Sequence, residues 1–286
     1  MTFIVHISDF HIGEGDFNED VFFNSVDTVN DLDPDFIIFT GDLTNRGYHA
    51  EYVKAIEYVK FFKSMFFSIP GNHDARNLGY ETFQKLIGER SWAQTLNSND
   101  KDNIKLQYDD SLKEKCMLKD NGKKKWSKND RISKCLVDVS NITLIGLDSS
   151  EPDISDGSVG RPQQLWMEEI LTDSYINSTF SIVAIHHHVL PIPKTGRERN
   201  ILFDAGDILK SLTDLDVNMV LSGHKHVPYL WKVENTLFAT AGSFSSFKLR
   251  GSCPNSFNTY EIKENYVEAT LKPYRKEDIL LGRYKF

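Results

Sequence analysis

Met65-Phe66-Phe67-Ser68-Ile69-Pro70-Gly71-Asn72-His73-Asp74 is an apolar, β-prone run that stops at a turn built from residues able to coordinate or titrate. Pro70 stiffens the exit from the run, and Gly71 lets the backbone bend closely there. Asn, Gly and Asp favour turns for backbone reasons alone. The stretch therefore gains meaning only from company, and four other apolar runs in the chain end in the same way.

Upstream, Phe3 to Ser8 reads as a buried strand that stops at Asp9-Phe10-His11. Asn18 has the chemistry of an N-cap, with Glu19 and Asp20 behind it, and opens an amphipathic helix to Leu32 on Val21, Phe22, Val26 and Val29. Pro34 closes that unit. Phe36 to Phe39 is a second strand, stopping at Gly41-Asp42, and a helix over about 50–63 with apolar Val53, Ile56, Tyr58, Val59 and Phe62 leads into the opening stretch. This alternation, with near-continuous apolar strands, predicts a sheet covered by helices.

Downstream, residues from Gly88 to Lys134 are polar and lose any period, and within them 113–134 carry nine basic side chains against three acidic ones. That span reads as an irregular basic insertion, in which Trp126 could stack on a base or anchor a lid. Strands are expected at 135–139 and 142–148, with Ser140-Asn141 as a hairpin turn between them. Pro162 is expected at the first position of a helix reaching Leu171. Phe180 to Ile185 is a strand running into His186-His187-His188, followed by a loop with Lys194, Arg197, Arg199 and Asn200. A helix over 203–215 precedes the strand Val217 to Leu221, which stops at Ser222-Gly223-His224-Lys225-His226. The part from about 229 onward is β-rich, and its tail after Gly242 is expected either to add strands to a second sheet or to pair through an exposed edge in a homodimer. No repeat or linker divides the chain, so a single domain over 1–286 is expected.

Composition narrows the function. A net charge of −8 disfavours wrapping by nucleic acid, although a local basic patch remains compatible with it. Three separated cysteines give neither a zinc pair nor a disulfide framework, which suits a reducing compartment. Met1-Thr2-Phe3 runs directly into a strand with no leader pattern, and no apolar run approaches a membrane span, so a cytoplasmic location is the expectation.

Asp9 and His11, Asp42, Asn72 with His73, His186 and its neighbours, and His224 with His226 thus all follow apolar strands. In open α/β sheets the ends of such strands form the working crevice. Imidazole and oxygen donors without thiolate suit Zn, Mn, Fe or Ni rather than a structural zinc. The donors outnumber what one ion needs. Two ions sharing a carboxylate would use them all, an arrangement that clamps the oxygens of a transferring phosphoryl group. Singly, each fragment is as well explained by an exposed or hydrogen-bonded side chain; jointly, in this order, they are not.

Asp9-x-His11, Gly41-Asp42, Gly71-Asn72-His73-Asp74, His186 and Gly223-His224-x-His226 resemble the calcineurin-like metallophosphoesterase superfamily, most closely its bacterial and archaeal class III cyclic nucleotide phosphodiesterase branch. The resemblance implies a four-layer α/β/β/α sandwich with two mixed sheets and two metal ions, manganese, iron or zinc. It implies that Asp42 bridges them, that Asp9, His11 and His226 complete one site, and that Asn72, His186 and His224 complete the other. His187 is the alternative to His186, because three histidines stand in a row. His73 is expected to stabilise phosphoryl charge or protonate the leaving oxygen, Asp74 to orient it or merely cap the turn. His187, His188, Arg197 and Asn200 are candidates for substrate contact. The expected reaction is hydrolysis of a phosphodiester, a cyclic nucleotide or small diester, by metal-activated hydroxide. A phosphomonoesterase, a protein phosphatase or a nuclease could use the same core. A binding module without catalysis fits the filled ligand set least.

Overall fold

The computed structural model describes residues 1–97, 104–107, 138–193, 195 and 202–286. The basic run at 113–134 with Trp126, and Lys194, Arg197, Arg199 and Asn200, lie outside the described residues.

Two mixed sheets face each other. In the first, β1 (Thr2–Ile7), β2 (Phe36–Phe39) and β3 (Met65–Ser68) run parallel, with β3 at the edge. The other flank of β1 carries antiparallel β11 (Ser256–Lys263), β12 (Tyr266–Pro273) and β13 (Ile279–Lys285). The second sheet has the order β5 (Ile104–Gln107), β4 (Trp92–Asn97), β6 (Asp138–Leu147), β7 (Thr179–Ile185), β8 (Met219–Ser222), β10 (Thr236–Thr240), β9 (Tyr229–Val233). Its strands β6, β7, β8 and β10 are parallel, and β5, β4 and β9 pair antiparallel at the flanks.

Strand periodicity divides the side chains between layers. Ile4, Phe36, Ile38, Ile182, Ala184, Leu221 and Tyr260 point into the space between the sheets. Their neighbours Val5, Ile7, Ile37 and Phe39 meet α1 (Glu19–Leu32), α2 (His49–Val59) and Phe83 of α3 (Gly79–Leu86) on the outer face of the first sheet. Val183, Ile185 and Val220 meet α4 (Arg161–Ile176) and α5 (Ala205–Asp214) on the outer face of the second. The result is the four-layer α/β/β/α sandwich.

The helix opened by Asn18 forms as its sequence predicts. The Asn18 side chain accepts from Val21 N at 3.2 Å, and Val21, Phe22, Val26 and Val29 are buried. The second helix stops earlier than its apolar spacing predicts, at Val59. It buries Tyr52, Ala55 and Tyr58, while Val53 is exposed.

Other expectations are corrected. The polar span from Gly88 is not wholly irregular, because β4 and β5 lie in it. Trp92 packs between the sheets and its indole nitrogen donates to Ser68 O at 2.8 Å, which ties the end of β3 to the second sheet. Ser140-Asn141 is no hairpin turn: both residues lie inside β6, where the pairing register with β7 shifts between Asp138 and Ile142. The sheet's hydrogen bonds override the local turn signal there. Arg161, not Pro162, opens α4, which continues to Ile176. The strands after Gly242 extend the first sheet rather than the second. Among the described residues no helix is long and apolar enough to cross a membrane.

The aromatic cluster under α1 gives a test of the packing. Phe22 is fully buried, with the rings of Phe10 and Tyr58 each at 5.1 Å. Phe22→Ala is expected to lower the unfolding free energy by about 3–5 kcal/mol. Val53→Ala on the exposed side of α2 should change it by no more than about 0.5 kcal/mol. Urea titration of both variants measures the contrast.

Candidate metal and phosphoester site

The predicted donor residues meet at one edge of the sandwich, beyond the carboxyl ends of β1, β2, β3, β7 and β8. The loops are tied to one another by backbone bonds: Asp9 N donates to Gly41 O and His11 N to Asp42 O, both at 3.0 Å, and Gly223 N donates to His186 O at 3.0 Å. Asp9, His11, Asp42, His224 and His226 all have φ between 53° and 73°. Non-glycine residues seldom adopt that region, and clustering of such residues marks a place where function overrides backbone preference.

Donor atoms of Asp9, His11, Asp42 and His226 fall within 4.8 Å of one another, and those of His186, His187 and His224 form a second such group. Asp42 stands between them. Its Oδ2 is 3.6 Å from His11 Nε2 and its Oδ1 is 3.5 Å from His186 Nε2. On the first side, His226 Nε2 lies 3.0 Å from His11 Nε2 and 3.2 Å from Asp9 Oδ1. On the second, Asn72 Oδ1 lies 3.2 Å from His186 Nε2 and 3.0 Å from His224 Nδ1.

These atoms fit cations better than they fit each other. His186 Nδ1 donates to Thr40 O at 2.6 Å, so the neutral ring turns the lone pair of Nε2 toward the oxygens of Asn72 and Asp42. Asp9 Oδ2, His11 Nδ1 and His224 Nε2 are buried without a hydrogen-bond partner. Converging acceptors with no proton between them are costly in a protein interior unless a positive charge joins them.

The electrostatics agree. Burial opposes ionisation of Asp42, yet His186, His73 and His11, with the His73 N–H, hold its carboxyl below the usual range. Burial depresses the His11 pKa well below that of a free imidazole, with Asp42 opposing the shift. His224 is depressed likewise by burial and by His187 and His186. His226 goes the other way: burial lowers it, but Asp9 and the Lys248 carbonyl raise it further.

Glycine makes the approach of the loops possible. A Cβ on Gly71 would lie 2.2 Å from Asp42 Oδ1, and one on Gly41 would lie 2.7 Å from both Gly71 N and His186 Nδ1.

Each remaining predicted residue has a definite place. His73 N donates to Asp42 Oδ1 at 2.8 Å, its Nδ1 donates to Asn45 O at 2.6 Å, and its ring lines the cavity beside His11. Asp74 does not touch the His73 ring. Its carboxylate accepts from Leu43 N (3.0 Å), Thr44 N and Thr44 Oγ1 (2.8 Å each) and Gly71 N (2.9 Å), so it stitches the two loops together instead. His187 has both ring nitrogens engaged within the protein and does not line the cavity: Ser149 Oγ donates to its Nδ1 at 2.8 Å and its Nε2 donates to Ser155 O at 3.2 Å. That engagement of both nitrogens makes His186 the ring turned toward Asp42. His188 is buried against the His224 ring and does not line the cavity either.

The cavity above the donors has a volume of about 410 Å³. Arg76, Ser155, Lys248, Leu249 and Arg250 line it, none of them singled out by sequence reasoning. The signal for Arg76 was its place two residues after the Asn-His-Asp turn. Lys248 and Arg250 carried none beyond alternate basic residues in a loop after β10.

His6 was also missed. It points between the sheets, with Nε2 3.0 Å from Thr40 Oγ1 and Nδ1 3.3 Å from the Tyr260 hydroxyl. Thr40 in turn holds His186 through its carbonyl. A buried column from Tyr260 through His6 and Thr40 therefore ends on a candidate ligand.

The chain belongs to the calcineurin-like phosphoesterase family, whose model matches residues 4–228. It is 27% identical over 212 residues to a probable glycerophosphodiester phosphodiesterase of Arcobacter nitrofigilis, covering 68% of this chain and 64% of that protein. It is 27% identical over 236 residues to a cAMP/cGMP dual specificity phosphodiesterase of Mycobacterium tuberculosis, covering 78% of this chain and 61% of that one. It therefore matches less than two thirds of the length of either curated relative. In fold it is similar to a dimetal phosphatase from Danio rerio, at TM-score 0.68 and 12% identity over 100% of this chain and 99% of that one. It is also similar to GAP50, the anchor in the inner membrane complex of Plasmodium, at TM-score 0.66 and 12% identity over 100% and 88%.

His6 yields a test through proton linkage. Burial lowers its pKa in the fold to about 3, against 6.5 for a free histidine. Between those values the unfolded chain binds a proton that the fold refuses, so stability falls as pH drops. The His6 contribution is about 1.4 kcal/mol per pH unit. His6→Gln should remove that part of the slope between pH 6.5 and 4, as read from urea midpoints across pH.

Proposed function

We propose that the chain hydrolyses phosphodiesters with a pair of metal ions bridged by Asp42. The observation that carries this reading is the placement of Asp42, with one oxygen facing each donor group. Asp9, His11 and His226 would hold one ion with Asp42, and Asn72, His186 and His224 the other. When bound, such a pair supplies Lewis acidity for the phosphoryl oxygens and lowers the pKa of water at the site. Manganese, iron and zinc all suit these donors. The two relatives named as a probable glycerophosphodiester phosphodiesterase and a cAMP/cGMP phosphodiesterase support a diester, either a glycerophosphodiester or a cyclic nucleotide.

The rest falls to the chain's own side chains. His73 lies beside the donors but has its Nδ1 committed to Asn45 O, which leaves Nε2 for the substrate. Burial lowers its pKa, with Asp42 and the Asn45 carbonyl opposing. A proton on Nε2 is thus readily given up, which suits a general acid for the departing alcohol. The Asn45 carbonyl orients the ring, the task first expected of Asp74. Arg76, with Nη1 3.1 Å from His73 Nδ1, adds positive charge at the same end of the cavity.

Asp42→Ala is expected to lower manganese-supported turnover of bis(nitrophenyl) phosphate beyond the roughly 10–100-fold typical of residues that only support metal ligands. Full retention of activity would sink the bridged-pair reading. His73→Asn should cost about 100-fold in kcat on a diester with an alkyl leaving group. The same variant should lose far less on the nitrophenyl diester, whose leaving group needs no proton. Nitrophenyl phosphate, assayed in parallel, decides between diester and monoester preference.

A further inference from the structure

Asn258, Tyr260, His6 and Thr40 form a polar column through the interior, and all four are fully buried. Tyr260 lies among the apolar residues between the sheets. The donors give the column a direction. Asn258 Nδ2 donates to the Tyr260 hydroxyl at 3.1 Å and to Thr240 O at 3.0 Å. The hydroxyl in turn donates to His6 Nδ1 at 3.3 Å. Burial keeps the His6 ring neutral, so its one proton sits on Nε2 and goes to Thr40 Oγ1 at 3.0 Å. The Thr40 carbonyl accepts from His186 Nδ1 at 2.6 Å, which leaves His186 Nε2 as the atom facing Asn72 and Asp42.

Thr40 is fixed at three points. Its N–H donates to Ile7 O at 3.0 Å, His6 holds its hydroxyl, and His186 takes its carbonyl. Gly41 follows at φ 94°, so no side chain restrains the Thr40–Gly41 peptide from its far side. Asp42 is held separately, by the bonds from Asp9 N to Gly41 O and from His11 N to Asp42 O. The column therefore bears on His186 and not on the donors around Asp9. An apolar filling of the same space would avoid burying four polar side chains, one of which leaves Asn258 Oδ1 without a partner. Asn258 and Tyr260 belong to β11, beyond the residues 4–228 that the family model matches.

We infer that His6 and Tyr260 are positioning residues for the ion held by Asn72, His186 and His224, and that β11 is thereby a working part of the metal site. The inference rests on the paired-metal reading above and adds to it the elements that aim one ligand. A ring that must present Nε2 to a cation needs its Nδ1 proton held by a fixed acceptor. The Thr40 carbonyl is that acceptor, and the column fixes it from the interior.

Calorimetric titration of the metal-free protein with Mn²⁺ tests this, with Asn72→Ala identifying which binding step belongs to the His186 side. Tyr260→Phe and Thr40→Val each remove one hydroxyl and should weaken that step about tenfold, the lower end for residues that hold a metal ligand in place. The other step should stay as in the wild type. Thr40→Ser keeps the hydroxyl and should bind both ions normally. Tyr284→Phe loses a hydroxyl bond to Leu281 O at 3.2 Å in the same sheet, and as the control it should change neither step. Wild-type binding of both ions by Tyr260→Phe or by Thr40→Val overturns the inference. Equal weakening of both steps, or weakening by Tyr284→Phe, also overturns it, since either is the mark of general loosening. Should Thr40→Val fail to fold, as read from its urea midpoint, Tyr260→Phe decides alone. Loss of folding in Tyr260→Phe assigns the column to stability and overturns the inference too. If the wild type takes up fewer than two ions, the paired-metal reading falls and this one falls with it.

Discussion

The carboxylate of Asp74 holds together the two loops on which the candidate site depends. Four donors reach it, three of them backbone N–H groups, and they come from both the loop after β2 and the turn after β3. Burial and the charge of Asp42 raise its pKa to about 6, and the N–H groups of Gly71, Thr44 and Leu43 oppose that rise. The Tyr52 hydroxyl donates to Asp74 O at 2.7 Å, which fixes the turn to α2 from behind. Asp42 and Asn72 therefore face each other because a third residue fixes the distance between their loops. A second carboxylate so close to Asp42 is tolerable because backbone dipoles surround it.

The same closeness accounts for the backbone conformations nearby. Gly71 must pass against Asp42, and Gly223 against Ser8, where a Cβ would lie 2.0 Å from the hydroxyl. Bonds from Asp9 N and His11 N to the loop after β2, and from Ser243 Oγ to Asp9 O at 2.9 Å, hold Asp9 and His11 at positive φ. These constraints come from outside the residues that bear them. Donor atoms held this way are preorganised for a cation rather than gathered by it.

What the sequence made legible was local. Asn18 and the period behind it specify α1 within one segment, and apolar runs that stop at Asp, Asn or His specify where chemistry can sit. What stayed hidden depends on partners far away. Trp92 to Asn97 has few β-branched residues and reads as polar loop, yet Trp92 caps the space between the sheets and its strand pairs along β6. Ser140-Asn141 looks like a turn until β7 pairs alongside. Asp74 reads as a partner for its neighbour His73, but the turn sends the two side chains apart. The three consecutive histidines are separated only by what meets them: Thr40 and Asp42 for His186, Ser149 and Ser155 for His187, and the His224 ring for His188.

The fold alone does not determine the chemistry. A dimetal phosphatase and an anchor protein of the Plasmodium inner membrane complex both share it with this chain at similar TM-scores. What distinguishes a working site on such a scaffold is whether donors, charge and access agree. Here seven candidate donors converge with unsatisfied atoms among them, a histidine with one free ring nitrogen stands beside them, and the cavity above is lined by cations. A site kept only for shape would have no reason to leave Asp9 Oδ2 buried without a partner, since that costs stability that an apolar substitute would not. That cost falls when a positive charge meets the buried carboxylate and the donors beside it, so the arrangement is best understood as half of a complex whose other half is metal.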